Sequence, residues 1–227
     1  MTKLVLVRHG ESLWNLENRF TGWIDIDLSE KGIEECKRCA QILLKNNYKF
    51  DTVYTSVLKR AIHSASIILG TMDLRVPIIE NWRLNERHYG ALAGLNKQEM
   101  RKKHGENQVF MWRRSYDIAP PALGKNDPNP AKDPRYKSLK KSEIPLTESL
   151  KDTVDRVIPY WKSELAPALK SGKSILICAH GNSIRALIKH IDKISNEEIP
   201  KLEIPTGKPL VYEFGKNLKP IKHYYLE

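Results

Sequence analysis

Two apolar runs each end in a histidine followed by a glycine: Leu4 to Val7 leads into Arg8-His9-Gly10, and Ser174 to Ala179 leads into His180-Gly181. Ligands of open α/β sheets bind outside the carboxyl ends of strands, which places both imidazoles to face one crevice. Glycine after each histidine permits a tight turn and close approach of a ligand to backbone N–H groups, a geometry suited to phosphate oxygens. With an unperturbed pKa of about 6.5, much of a histidine population is neutral and nucleophilic near pH 7. A phosphate monoester repels nucleophiles until cations neutralise its oxygens. Arg8 beside His9, and Arg60 at the start of the helix after the strand Asp51 to Thr55, supply planar multi-donor clamps for that purpose. The chemistry indicated is phosphoryl transfer, with one histidine attacking and the other stabilising the equatorial oxygens. Residue types alone do not say which histidine does which.

The elements that must position these groups follow from the hydrophobic pattern. Leu4 to Val7, Asp51 to Thr55, Leu74 to Glu80 and Ser174 to Ala179 read as strands separated by amphipathic helical segments. Ser29 is placed as the N-cap of a helix through Leu44, Ser56 precedes a helix ending at Gly70, and Thr147 precedes a third that Pro159 kinks. This alternation predicts an α/β fold with a mainly parallel central sheet and helices on both faces. Pro209 to Phe214 and Pro220 to Leu226 form a closing hairpin. From Asp117 to Leu146 prolines and lysines break the pattern, predicting an irregular excursion of the kind that covers a site. At 227 residues one domain with an insertion is expected.

Composition excludes several classes. No run approaches the roughly 20 apolar residues of a membrane span, and the start of the chain is charged too early for a secretory leader, so a cytoplasmic protein is expected. The three cysteines are too few and odd in number for a disulfide framework. Cys36 and Cys39 fall inside the helical pattern, as core cysteines do, and no second CxxC completes a zinc site. The net charge of +11 favours anionic partners. The lysines, Lys45, Lys102, Lys140, Lys170 and Lys222 among them, are dispersed instead of interleaved with aromatics in one stripe, which argues against a nucleic-acid surface. No clustered Asp, His and Ser set suggests a catalytic metal.

The string Leu6-Val7-Arg8-His9-Gly10-Glu11-Ser12-Leu13-Trp14-Asn15 resembles the phosphohistidine signature of the histidine phosphatase superfamily, and of cofactor-dependent phosphoglycerate mutases in particular. The resemblance continues through Phe20-Thr21-Gly22-Trp23, Tyr54-Thr55-Ser56-Val57-Leu58-Lys59-Arg60-Ala61, Leu84-Asn85-Glu86-Arg87-His88-Tyr89-Gly90 and Trp112-Arg113-Arg114. It resumes at Ala179-His180-Gly181-Asn182-Ser183 and Ile204-Pro205-Thr206-Gly207, and so covers essentially the whole chain. It implies a phosphoglycerate mutase-like fold over residues 1–227, with a lid or insertion at about 85–146. It also implies that His9 is phosphorylated, that Glu86 carries the proton to and from the substrate oxygen, and that His180, Arg8 and Arg60 stabilise the transferring group. Gly10, Glu11, Ser12, Asn15, Thr21 and Gly22 are assigned by the same match to gripping the substrate. So are Arg87, His88, Tyr89 and Lys97, together with Arg113, Arg114, Gly181 and Asn182.

The activity so implied is interconversion of 3- and 2-phosphoglycerate in glycolysis and gluconeogenesis, primed by 2,3-bisphosphoglycerate without a metal, in a protein expected to be a homodimer. Ser12 stands where enzymes devoted to making bisphosphoglycerate tend to carry glycine, which tilts the expectation to the mutase. Bisphosphoglycerate synthase or phosphatase activity, or a small-molecule phosphatase of the same superfamily, is the alternative, and a non-enzymatic polyanion binder is a remote one. Two departures stand out. The chain stops at Tyr224-Tyr225-Leu226-Glu227, where the family commonly continues into a polar tail that helps close the site. The stretch Lys125 to Arg135, with Asn126-Asp127-Pro128-Asn129-Pro130, differs from the usual composition of that loop.

Overall fold

The structure, a computed structural model, describes residues 2–125, 127 and 130–227. Positions 126, 128 and 129 of the unusual loop lie outside the described residues. The strands are β1 (Thr2–Arg8), β2 (Thr52–Thr55), β3 (Ile78–Glu80), β4 (Ile175–Ala179), β5 (Pro209–Phe214) and β6 (Pro220–Tyr225). They form one six-stranded sheet in the order β3-β2-β4-β1-β5-β6. The sheet is mixed, which corrects the expectation of a mainly parallel one. The pairs β3-β2, β2-β4 and β4-β1 are parallel, whereas β1-β5 and β5-β6 are antiparallel. The hairpin predicted at the end of the chain is the reason: two strands joined by a short turn must run opposite ways. Its first strand lays its ladder along the free edge of β1.

Side-chain alternation on the central strands builds two cores. On β1, Leu4 and Leu6 point to one face and Val5 and Val7 to the other; on β4, Ile175, Ile177 and Ala179 oppose Leu176 and Cys178. The first face is covered by α6 (Leu150–Tyr160), α7 (Ala166–Lys170) and α8 (Gly181–Asp192). The second is covered by α2 (Glu30–Lys45) and α3 (Lys59–Thr71), so helices do lie on both faces. Burial on both sides explains why these strands read as continuous apolar runs.

Local signals explain the helix ends. Ser29 caps α2, its Oγ accepting from Gly32 N at 3.1 Å, and Cys36, Cys39, Ala40 and Leu43 form the stripe that meets the sheet. All three cysteines are buried and unpaired with one another. Helix α3 starts at Lys59, later than Ser56, which leaves the Ser56 hydroxyl for another partner. The cap of α6 is Ser149 in a reciprocal box with Asp152, two residues beyond Thr147. Pro159, which has no N–H to give, precedes a π-type turn over Trp161–Leu165 before α7 resumes.

Between Asn85 and the irregular stretch expected from Asp117, the chain forms two further α-helices. Helices α4 (Lys97–His104) and α5 (Glu106–Arg114) build a small apolar cluster of their own from Phe20, Leu92, Met100 and Val109, flanked by Tyr89 and Trp112. After α5 the described chain is irregular, with short 3-10 turns at Pro130–Lys132, Pro134–Tyr136 and Lys141–Glu143. No helix among the described residues is long and apolar enough to cross a membrane.

Candidate active site

The register of the parallel strands decides where chemistry collects. Arg8 lies opposite Ala179, and Thr55 opposite Cys178. Arg8-His9, Ser56 and His180 therefore leave the sheet side by side at one edge. The rings of His9 and His180 meet edge to face, 4.9 Å between centroids. Both are buried.

The hydrogen bonds fix the state of each ring. His9 Nδ1 lies 2.7 Å from Gly10 O; a carbonyl can only accept, so Nδ1 carries the proton and Nε2 the lone pair. Burial first, then Arg60 and Arg8, hold the His9 pKa well below its ordinary value, which keeps the ring neutral at pH 7. His180 is depressed in the same way, by burial and then by Arg60, His9 and Arg8. Its Nε2 shares a 2.7 Å hydrogen bond with Ser56 Oγ, while its Nδ1 is buried without a protein partner. Arg8 gives Nη1 to Ile204 O at 2.9 Å and has its Nε buried without a partner. Arg60 gives Nη1 to Ile24 O and Nη2 to Gly22 O, at 3.0 and 2.8 Å. Burial lowers the Arg60 pKa to about 10, so it remains cationic at neutral pH.

Glu86 follows a 3-10 turn at Trp82–Leu84. Its Oε1 accepts from Arg87 N at 2.7 Å and from Asn182 N, at the start of α8, at 3.2 Å. Its carbonyl is clamped by Trp23 Nε1 at 2.6 Å and Arg156 Nη2 at 2.9 Å. Arg156 is held in turn by Glu148 through two contacts of 2.6 and 3.0 Å, a buried ion pair with its partners satisfied. A side chain at Gly181 would meet Arg8 and Glu86 Oε2, each at 3.7 Å, which puts both groups beside that glycine.

The cavity beside His9 is lined by Arg8, Arg60, Glu86, Asn15, Thr21, Gly22, Gly181 and Asn182, and by Tyr89, Lys97, Arg113 and Arg114. Arg60 and Arg8 are the cations that act on the His9 ring, while Arg113 and Arg114 act on each other. Burial lowers the Lys97 pKa to about 8. Asn182 Nδ2 reaches Tyr89 OH at 3.4 Å. Three further lining residues escaped the sequence reading: Arg19, Arg185 and Glu203. Arg185 had a faint signal, a cation inside the apolar run of α8 three residues after Asn182, and its Nη1 donates to Asn182 Oδ1 at 2.6 Å. Glu203 and Arg19 had none.

Other expected contacts are not brought to the cavity wall. Gly10 N donates to Ser64 Oγ, and a Cβ at Gly10 would stand 2.2 Å from Gly32 O, so glycine there serves the packing of β1 against α2. Glu11 turns to Ser29 Oγ and Lys31 Nζ, both at 3.0 Å. Ser12 caps the one-turn helix α1 (Leu13–Leu16), accepting from Asn15 N at 3.2 Å. Arg87 lies behind the wall, one amine on Arg113 O, its guanidinium over the Tyr89 ring at 5.1 Å. His88 accepts from Gly90 N through Nδ1 at 3.0 Å and gives its own N–H to Glu148. His180 stands against the His9 ring and is not itself part of the cavity wall. No group of three or more His, Cys, Asp or Glu able to hold a metal occurs among the described residues.

Similar folds occur among solved structures. YhfR from Bacillus stearothermophilus has a TM-score of 0.73 at 22% identity, covering 100% of this chain and 96% of its own. A mycobacterial glucosyl-3-phosphoglycerate phosphatase solved with VO3 has a TM-score of 0.72 at 22% identity, covering 99% and 97%. The alpha-ribazole phosphatase of Shigella flexneri has a TM-score of 0.67 at 21% identity, covering 94% and 91%. At these identities the likeness speaks for the fold alone. A sequence model of the histidine phosphatase superfamily (branch 1) matches residues 4–226, and the chain belongs to that superfamily.

Proposed function

We propose that the chain is a phosphoglycerate mutase that moves a phosphoryl group between the 3- and 2-positions of glycerate through His9, primed by 2,3-bisphosphoglycerate. The observation that carries this reading is the second cationic cluster. Beyond the reacting end, Lys97, Arg113, Arg114 and Arg185 line the same cavity, which suits a ligand with an anionic group at each end. A mutase needs that, because its intermediate must present either phosphate to the same histidine.

Starting from the phosphorylated enzyme, the 2-hydroxyl oxygen of 3-phosphoglycerate attacks phosphorus, the bond to His9 Nε2 breaks, and the Glu86 carboxylate takes the hydroxyl proton. The bisphosphate turns within the cavity. His9 Nε2 then attacks the 3-phosphate, the phosphorus–oxygen bond breaks, and Glu86 returns its proton to the leaving oxygen. Arg8 and Arg60, on the cavity wall, meet the equatorial oxygens as charge spreads over them, and His180, unpartnered at Nδ1 against the His9 ring, joins them once the phosphoryl group is in place. The cations at the far end hold the carboxylate and the phosphate that does not react. No step calls for a metal. The same reading makes residues 85–146 a lid within one unit of 227 residues, and the protein a cytoplasmic homodimer.

A second reading, a small-molecule phosphatase or a bisphosphoglycerate synthase or phosphatase, is favoured by the solved neighbours, two of which carry phosphatase names. On that side the comparisons weigh more than on the mutase itself. Chemically the two differ only in whether water or a glycerate hydroxyl discharges the phosphohistidine. Conversion of 3- to 2-phosphoglycerate in excess EDTA, with and without 2,3-bisphosphoglycerate, separates them when wild type is compared with His9→Ala. Turnover that survives EDTA, is enhanced by the bisphosphate and is lost in His9→Ala supports the mutase. Release of inorganic phosphate alone supports the phosphatase, and no reaction of either kind defeats both.

A further inference from the structure

The far wall of the cavity contains a carboxylate that the proposed chemistry does not use. Among the described lining residues the acidic ones are Glu86 and Glu203, and Glu203 sits in the connection from α8 to β5. That connection is pinned on either side of Glu203. Leu202 O accepts from Arg185 Nε and Nη2, at 3.1 and 2.8 Å, and Ile204 O accepts from Arg8 Nη1 at 2.9 Å. Gly207 N then donates to Arg8 O at 2.9 Å. Between these fixed carbonyls the Glu203 side chain is 73% exposed, yet its Oε1 turns inward to Arg114 Nη2 at 2.5 Å. The Arg114 side chain is only 16% exposed. A carboxylate from the chain itself thus occupies an arginine of the cluster suited to the ligand's second anionic group.

An ion pair with one partner so exposed contributes little to holding the fold. Its position matters more, because a charge among partly buried cations is screened less than one on open surface. We infer that Glu203 sets substrate affinity as a built-in competitor, occupying Arg114 until the ligand's non-reacting anionic group displaces it. The inference rests on the two-anion reading of the cavity. Displacement needs no backbone movement, since Leu202 and Ile204 stay held and only the Glu203 side chain swings into solvent. A ligand with a single anionic group at the His9 end gains nothing from that exchange, so Glu203 acts on one class of ligand and not the other.

The test measures dissociation constants by calorimetry for wild type, Glu203→Gln and Glu198→Gln. The last removes an equally surface-placed carboxylate, paired with Lys201, and controls for net charge. The ligands are 3-phosphoglycerate, with an anionic group at each end, and orthovanadate, a single anion that bonds to a nucleophilic ring nitrogen. The expected result is 3-phosphoglycerate binding tightened about fivefold in Glu203→Gln, with orthovanadate unchanged and Glu198→Gln like wild type. Unchanged or weaker 3-phosphoglycerate binding, or the same shift in both ligands or in both variants, overturns the inference while leaving the mutase reading standing. If orthovanadate binds all three proteins and 3-phosphoglycerate binds none, the two-anion reading fails and takes the inference with it.

Discussion

The two ends of the cavity are built from different material. At the reacting end His9, Arg60 and His180 are almost fully buried and sit at strand ends or the first turn of a helix. Their hydrogen bonds go to backbone carbonyls or to a buried serine. At the far end Lys97 and Arg114 come from α4 and α5, which sit outside the sheet and its covering helices, and Glu203 from a connecting segment. These side chains are partly exposed or pair with exposed partners. A rigid sheet edge fixes geometry to the tolerance that bond making needs, whereas helices outside the sheet can change their cations without disturbing it. On the proposed reading, the chemistry is set by the sheet edge and the choice of ligand by α4, α5 and the connection that carries Glu203.

Substitutions at the two ends should accordingly split between kcat and KM. His9→Ala should remove the phosphoenzyme and lower turnover by about 10⁴-fold or more, by analogy with losing an enzyme nucleophile, with 3-phosphoglycerate still bound. Stopped-flow turnover with acid-quench detection of phosphoprotein checks it, and surviving phosphoprotein would move the nucleophile elsewhere. Arg60→Ala should lower kcat about 10²- to 10³-fold, as loss of a preorganised donor does, with KM moved much less. Arg113→Ala should do the reverse, raising KM roughly tenfold with a smaller effect on kcat. If Arg113→Ala lowered kcat as Arg60→Ala does, the division between the ends would collapse.

The smallest effect concerns pH. Burial lowers the Lys97 pKa to about 8, so in the free enzyme the ammonium is present below that pH and is lost as pH rises through it. KM for 3-phosphoglycerate should therefore climb about threefold or more between pH 7 and pH 9, and Lys97→Arg should flatten the rise because a guanidinium stays charged. Steady-state kinetics across that range decide the matter.

How much was legible in the sequence follows the same division. His9, His180 and Arg60 announce themselves because a buried parallel strand is a continuous apolar run, and its end marks a sheet edge. The closing hairpin was equally plain, but where a hairpin docks is not a local property, and its lodging against β1 turned a parallel sheet into a mixed one. The cap of α6 at Ser149 and the late start of α3 at Lys59 were missed because serines and threonines cluster near both helix starts and tertiary contacts choose among them. Trp23 and Arg156, which clamp the Glu86 carbonyl, and Glu148, which holds Arg156, come from two stretches far from Glu86 in the chain. Glu203 was silent for the same reason: only the folded chain brings it to Arg114.

Because the proton on His9 Nδ1 is committed to Gly10 O, only the other ring nitrogen can carry a phosphoryl group without rupture of that bond. The phosphoprotein in the proposed cycle should therefore be a single regioisomer, linked through Nε2. An isomer-selective phosphohistidine antibody would find it uniform, and its acid and hydroxylamine lability would follow one decay curve instead of two.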